Sequence, residues 1–488
     1  MLGASTLERV STTPRGDQQR KDAGRESWRY PITAPGPEGR QMLGSFGTIR
    51  RNPAAFLEQM WGEYGDVVQF PIPRPAVYLL SSPADVKSVL VDSVSTQSKR
   101  TLQYDNLAIL TGDGLLTADD PPWREHRRAI QPAFHANELD EVCTNTARAT
   151  KAFLDRWQGS SDASIIDVDE VMMEISLQVV ATSLFGSDWR EAAGGLTKAT
   201  IIALDEVVAR ARNPLAPPLW VPTVRNRRLR RAKFALDSAV DGLISTYESG
   251  SRESWPSAAA GLKPKSPGFL DLLMSGLRRP DGSLDRQAVR DELVTFLVAG
   301  HETVASALSW AWYLLAEHPR VADDVRAEVD ACALAPDHAW DMATVASLPL
   351  TRAVVDETLR LYPPAWVLTR TSTIEHEFAG SSLPTGSLLI MSPWILGRHP
   401  GAWENPAQFD PQRFIGGNSR NRLGYLPFGT GPRICIGREF ALAEAVVVLA
   451  MMAARFELRR PEGAGPITAL ASVTLRPPAG LPMRVYAR

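Results

Sequence analysis

The chain has 488 residues, 44% hydrophobic and 22% charged, with a formal net charge of −2. That balance is ordinary for a globular enzyme and, with no basic excess, argues against nucleic acid as a partner. Three cysteines, Cys143, Cys332 and Cys435, make no disulfide framework and fit a reducing cytoplasm, and no run approaches the ~20 apolar residues that cross a bilayer, which points to a chain without a membrane anchor.

Residues 1 to about 30 are polar and rich in Ser, Thr, Arg and Gln, and predict a flexible tail. Residues 31–488 read as one domain, with no internal repeat and no shift in composition. Pro53 to Tyr64 spaces Phe56, Leu57, Met60 and Tyr64 as a helix, and Gly65-Asp66 ends it. Val67–Phe70 and Ala76–Leu80, separated by prolines, predict two strands of a small sheet. Residues 95–121 hold few periodic signals and predict a long functional loop. Pro122 opens a helix that sets Trp123 and Arg127 on one face, while His126 and His135 show no partner pattern and read as structural. From about 140 to 250 the pattern is successive helices, broken at 213–222 by prolines. The basic run Arg225–Lys233 reads as a surface for an anionic partner or as a solvated face. The solvated face is favoured, because Leu229, Ala232 and Leu236 keep an amphipathic period. Residues 250–267 predict a loop.

No proline occurs between Leu284 and His318, and this stretch predicts one helix of roughly 45 Å. Inside it lies Ala299-Gly300-His301-Glu302-Thr303. A mid-helix glycine costs about 1 kcal/mol against alanine, so Gly300 asks for a reason. Close approach of a flat ligand is one, and a local opening filled by the Thr303 hydroxyl is another. Leu350–Leu361 predicts a further helix, with Glu357 and Arg360 three apart on one face. Ser372 to Ile390 and Arg459 to Arg488 predict short strands.

Residues 428–437, Phe-Gly-Thr-Gly-Pro-Arg-Ile-Cys-Ile-Gly, hold three glycines and a proline and therefore form a tight loop. The apolar helix Arg438 to Arg455 follows, so Cys435 sits just before a helix N-terminus, where backbone N–H groups favour a thiolate.

The order Phe-x-x-Gly-x-Arg-x-Cys-x-Gly resembles the haem-binding loop of the cytochrome P-450 family at every position. Trp123-x-x-x-Arg127, Ala299-Gly300-x-Glu302-Thr303, Glu357-x-x-Arg360 and Pro411-Gln-Arg413-Phe414 resemble four more of its motifs, in the family's order. The resemblance covers residues 31–488 and implies the cytochrome P-450 fold, mainly α with small β-sheets, as a single large domain. It implies haem b (iron protoporphyrin IX) with Cys435 as the iron ligand. Phe428 would pack near that ligand, and Gly300 would lie against the haem. Trp123, Arg127, Arg370 and Arg433 would hold propionates, and Glu357, Arg360 and Arg413 would form a structural triad. Gln412 departs from the family's more frequent Glu.

The implied activity is that of a haem-thiolate monooxygenase of the soluble bacterial type, cytoplasmic and monomeric. It would insert one atom of O2 into a C–H or C=C bond, with Glu302 and Thr303 managing protons. Electrons would come from a ferredoxin or flavodoxin-type donor with its reductase, docked near Arg124, Arg128 and Arg438. The implied distal pocket is Phe296, Leu297, Ala299, Gly300 and Thr303 with Ala365, Trp366, Val367, Leu368, Leu470 and Ala471. It carries no charge, so the expected substrate is a neutral terpenoid or polyketide-like molecule of secondary metabolism. Alternatives are a fatty-acid hydroxylase anchoring its carboxylate at Arg100, a haem-binding sensor or carrier, and a non-oxidative haem-thiolate isomerase.

Overall fold

A computed structural model describes residues 32–488 except 73, 158–163, 187–192, 214–215, 250–267, 333–337, 417 and 479. The tail expected at 1–30 and the loop expected at 250–267 lie outside the described residues.

The predicted first helix is Pro53–Tyr64, with Pro53 at its first position and the Asn52 side chain accepting the Ala55 N–H. The strands Val67–Phe70 and Val77–Leu80 form an antiparallel hairpin. Val77–Leu80 then pairs in parallel with Leu388–Met391, which pairs with Leu368–Ser372, and Gln97–Ser98 closes the sheet. All four residues of each strand in the first hairpin are buried, because Phe56, Met60, Ala471 and Leu475 pack with Val68, Phe70, Val77 and Leu79, and Val86, Val89 and Leu90 with Val67, Tyr78 and Leu80.

Residues 95–121 depart from the expected loop, since Leu102–Thr111 is a helix. Thr101 caps it by accepting the Tyr104 N–H, and Gly112, at φ +57°, ends it. Its inward face mixes Tyr104, Leu107 and Leu110 with Asn106 and Thr111, so polar burial blurs the apolar period. The strand Ser164–Asp167 was also unexpected; it pairs with Pro482–Ala487.

The long helix is Arg286–Glu317, 32 residues in one piece. Asp285 caps it by accepting the Ala288 N–H at 3.1 Å. Nearly every residue from Val289 to Leu315 is buried, as expected of a helix that runs through the core rather than over it. It packs along Val168–Ser183, and the Leu139–Trp157 helix packs against Arg438–Arg455.

The segment before the cysteine loop has little regular structure and is held by ions instead. Arg360 forks onto Glu357 through Nε and Nη2 at 2.6 and 2.7 Å, both side chains fully buried. Its remaining donors reach the carbonyls of Gly397, Pro406 and Gln408. Arg413 Nε reaches Glu357 Oε1 at 3.3 Å, with its Nη atoms on the Glu404 and Asn405 carbonyls. The triad expected from sequence is therefore assembled, and Gln412 takes no part in it. Beside it, Asp356 accepts from Arg352, Arg420 and the Tyr425 hydroxyl, a second cluster that no sequence motif marked.

Removing Glu357 strands two buried guanidinium groups. Glu357→Ala is expected to lose roughly 3–5 kcal/mol of folding free energy. A urea unfolding midpoint and haem content equal to those of the parent protein would show that the triad carries no such load.

Candidate active site

The cysteine loop is shaped by glycine. Gly429 and Gly431 take φ of +69° and +72°, a region open to few other residues. A Cβ at Gly431 would collide with the Leu90 carbonyl. The Cys435 N–H donates to the Phe428 carbonyl at 2.9 Å, which fixes the sulfur at the turn, and Phe428 packs against the main core. Cys435 is free and its surface is accessible, yet the protein around its other sides raises the thiol pKa. The Gly437 N–H and the charges of Arg127 and Arg438 only partly oppose that burial. The Gly437 N–H at the helix N-terminus favours the thiolate, and a bound cation would favour it further. Among the described residues no group of three His, Cys, Asp or Glu side chains could hold an ion. A metal at Cys435 would have to bring its other ligands with it.

A cationic cradle adjoins the loop. Arg127 Nη1 donates to the Ile434 carbonyl at 2.9 Å. Arg433 lies 4.3 Å from the Trp123 ring and donates to the Ala118 carbonyl and Asp119, with Asp120 at 3.8 Å. Arg370 is buried and donates to the Thr369 carbonyl at 2.8 Å. Lys99, which sequence reasoning missed, is buried too, with Nζ on the Leu116 carbonyl. Burial pushes its pKa well down, and Arg370 and Arg433 push it further against the opposing pull of Asp119. Four cationic side chains, Lys99, Arg127, Arg370 and Arg433, gather beside the loop. Arg433 pairs with Asp119 and lies near Asp120, and Asp120 also pairs with Arg124. The excess of positive charge in this partly buried site calls for anionic groups. A haem, whose porphyrin supplies four metal ligands and whose two propionates supply the charge, fits this donor set. Nothing in the pattern around Lys99 sets it apart from any surface lysine.

On the long helix, Glu302 is buried and accepts from Thr474 Oγ1 at 3.0 Å, with Arg476 at 4.0 Å. Arg476 is held in turn by Asp169, which also accepts from Ser309. Burial pushes Glu302 up to about 7, against the pull of Arg476 and Thr474, so its carboxyl can hold or release a proton near neutrality. Thr303 Oγ1 donates to the Ala299 carbonyl at 2.7 Å, yet the helix stays regular there. The opening expected at Gly300 is absent. A Cβ at Gly300 would lie 2.8 Å from Val180 Cγ2, so helix-on-helix packing is itself a reason for this glycine. His301 is buried and uncharged, its pKa lowered to about 4 by burial, with Nδ1 on the Leu297 carbonyl.

The expected pocket residues divide. Ala299, Ala365, Val367 and Leu368 are half-buried and Leu297 is fully buried. Phe296 instead stacks on Phe134 at 5.5 Å and meets Phe269 at 4.6 Å, inside an aromatic core. Trp366 packs with Phe56, Leu57 and Leu475, and its indole N–H donates to the Ser472 carbonyl at 3.0 Å. Leu470 lines a surface groove with Asp205, Glu206 and Arg212. Moving from sequence to space also gives His126 a partner, Glu292, at 2.6 Å, which ties the Trp123–Arg127 helix to the long helix.

Lys99→Met removes a poorly solvated amine that, with haem bound, would be a propionate donor. It is expected to stabilise the haem-free protein while speeding haem transfer to an apoglobin about tenfold. Slower unfolding of the apoprotein without faster haem loss would leave Lys99 outside the cradle.

Comparison with known proteins agrees with this chemistry. The family model described as Cytochrome P450 matches residues 34–482. The chain is 33% identical to cyclooctatin synthase of Streptomyces melanosporofaciens, over 88% of this chain and 90% of the relative. It is 29% identical to pentalenene oxygenase of Streptomyces avermitilis, over 93% and 97%. The crystal structure of CYP175A1 from Thermus thermophillus superposes with a TM-score of 0.73 at 29% identity, covering 93% of this chain and all of that one. Proteins of this family bind haem and use O2 and redox partners on small substrates. With the motifs, the fold and the family match in agreement, the chain belongs to the cytochrome P450 family and is a monooxygenase.

Proposed function

We propose that this chain binds haem b through Cys435 and oxygenates a neutral, largely apolar terpenoid-like molecule. The observation that carries the cofactor reading is the accessible Cys435 beside an excess of partly buried cationic side chains. Cys435 would hold the iron, and Lys99, Arg127, Arg370 and Arg433 would hold the propionates. Haem bound there supplies O2 activation and oxygen insertion into a C–H or C=C bond, favoured by a thiolate ligand.

The chain's own residues position and protonate. Glu302, with a pKa of about 7, exchanges protons with the distal side, and Thr474 and Arg476 keep its carboxyl in place. The Thr303 hydroxyl, four residues from the Ala299 carbonyl it bonds, is the nearest alcohol on the same helix. Half-buried Ala299, Ala365 and Val367 give the substrate wall no charge. Of the two polar groups expected there, the Thr303 hydroxyl donates to the Ala299 carbonyl and the Trp366 indole to the Ser472 carbonyl. A charged substrate would lose its hydration without a partner. The terpenoid assignment draws on the cyclooctatin and pentalenene relatives. A fatty acid is disfavoured, because Arg100 is already paired with Asp113 at 3.3 Å. A neutral-range proton donor beside the alcohol favours oxygenase chemistry over a sensor, carrier or isomerase.

Electrons would come from a ferredoxin or flavodoxin-type protein with its reductase, with the enzyme as a cytoplasmic monomer. A groove along the Pro122–Ile130 helix, lined by Arg124, Arg127, Arg128 and His135, offers the cysteine side to it. Arg124 and Arg438 have carboxylate neighbours, Asp120 and Glu439. Arg128 has none within ion-pair distance among the described residues and is the strongest candidate contact.

Two measurements test this reading. Turnover should fall as pH rises through about 7, where Glu302 loses its proton. Glu302→Gln should slow turnover about 10²-fold and erase that inflection. An inflection that persists in the variant would assign the proton to another group. Separately, ring terpenoids should shift the haem spin state at lower concentration than free amino acids do, and Ala365→Phe should block the shift. An amino acid that binds tightly, unaffected by Ala365→Phe, would end the apolar-pocket assignment.

A further inference from the structure

The Pro122–Ile130 helix carries Trp123 and Arg127, yet apolar contact anchors it poorly. Of its nine residues only Trp123 and Ile130 are buried, and Arg124, Arg127 and Arg128 make it strongly cationic. It packs chiefly on the Phe269–Gly276 helix and on the Gln131–Phe134 turn, not along the long helix. Polar ties therefore decide where it sits. His126 and Arg127 are consecutive, so their side chains leave the helix about 100° apart. Arg127 Nη1 reaches the Ile434 carbonyl, next to Cys435, at 2.9 Å. His126 Nδ1 reaches Glu292 Oε1, on the long helix, at 2.6 Å. One short helix is thus tied to the cysteine loop by one residue and to the long helix by its neighbour.

Glu292 depends on that bond. Its side chain is fully buried, and its Oε2 makes no hydrogen bond of ordinary geometry. A carboxylate desolvated to this degree is compensated while His126 is a cation and poorly compensated once His126 is neutral. Burial would lower the pKa of His126, but the hydrogen bond and charge of Glu292 outweigh it, and with Glu125 and Asp291 they raise it above the ordinary 6.5. Burial also raises Glu292, against the pull of His126 and of the Leu115 N–H. Asp291 is itself bonded by Arg290 at 2.7 Å and by the Asp113 N–H at 3.1 Å. On the Phe269–Gly276 helix the one charged residue, Asp271, accepts from the Tyr247 hydroxyl. The folded chain therefore binds the His126 proton more tightly than the unfolded chain does. The contribution is complete below about 6.5 and is lost as the pH rises through the raised value.

We propose that His126 is a positioning residue: through Glu292 it sets how far Trp123 and Arg127 stand from the long helix, and its proton governs how firmly haem is held. This rests on the reading of Arg127 as a propionate donor. With His126 neutral, the helix keeps its ties to the cysteine loop but loses its hold on the long helix, and Arg127 moves with it.

Haem transfer to an apoglobin, followed against pH with the full-length haem-loaded protein, tests this. The parent should lose haem about tenfold faster once the pH passes the raised value of His126, the effect of one charge-assisted hydrogen bond. His126→Asn keeps an N–H donor in place of Nδ1 but cannot titrate, and should lack that step. The double variant His126→Leu with Glu292→Leu strands no carboxylate, so its urea midpoint should match the parent's while haem leaves at the fast rate at every pH. A double variant that keeps haem as firmly as the parent would make the pair a structural tie and overturn the proposal. A parent without the step overturns it too. So does a step that survives in His126→Asn, which would belong to Glu302 or Glu444, whose pKa values of about 7 and about 8 give the same sign. Arg127→Met separates this inference from the reading beneath it. Faster haem loss in Arg127→Met with both His126 variants like the parent overturns the inference alone, whereas no faster loss removes Arg127 from the cradle and the inference with it.

Discussion

A single fully buried carboxylate organises the cysteine side of the molecule. Glu357 accepts from Arg360, Arg413 and the Asp410 N–H. The two arginines pass the constraint on to five backbone carbonyls between Gly397 and Gln408. A stretch with almost no helix or strand is thereby held nearly as firmly as a sheet. Burial raises the pKa of Glu357 while the arginines oppose the rise, so this arrangement stands only while all its members are present. The position of the Cys435 turn follows from it, because the same segment leads directly into that turn.

The opposite side of the site rests on a different physical basis. There the long helix is fixed by packing, and its Glu302, Ser309 and Glu292 find partners outside it in Thr474, Asp169 and His126. The charge imbalance around Lys99, Arg370 and Arg433 is one that the protein alone leaves unresolved. Buried cations that repel one another are a source of instability until anions arrive. Cofactor binding and folding are coupled by that fact, as in other sites that bind only the folded state.

Much of this was legible in the sequence because local rules and ordered motifs agreed. The long helix and the cysteine turn came from short-range spacing and the ion triad from the family resemblance, and the structure places all three as expected. What was not legible depended on contacts across the fold. The packing of Gly300 against Val180 was not visible from the motif. Phe296 and Trp366 are apolar and lie in the right stretches, but the choice between pocket and core is made by Phe134 and by Ser472, far away in the chain. Lys99 and His126 carry no local signature, because their partners lie on other elements. The helix Leu102–Thr111 was hidden by Asn106 and Thr111 on its inward face.

The parallel pairing of Val77–Leu80 with Leu388–Met391 has a kinetic meaning. Its partners stand about 310 positions apart, and loop closure over that distance carries an entropy penalty that no local contact offsets. The sheet can therefore close only after most of the chain has left the ribosome, and until then its hairpin exposes an unpaired edge. Folding should be slow for that reason. Expression at lower temperature, or with chaperones that mask strand edges, then addresses the step on which the yield of soluble protein depends.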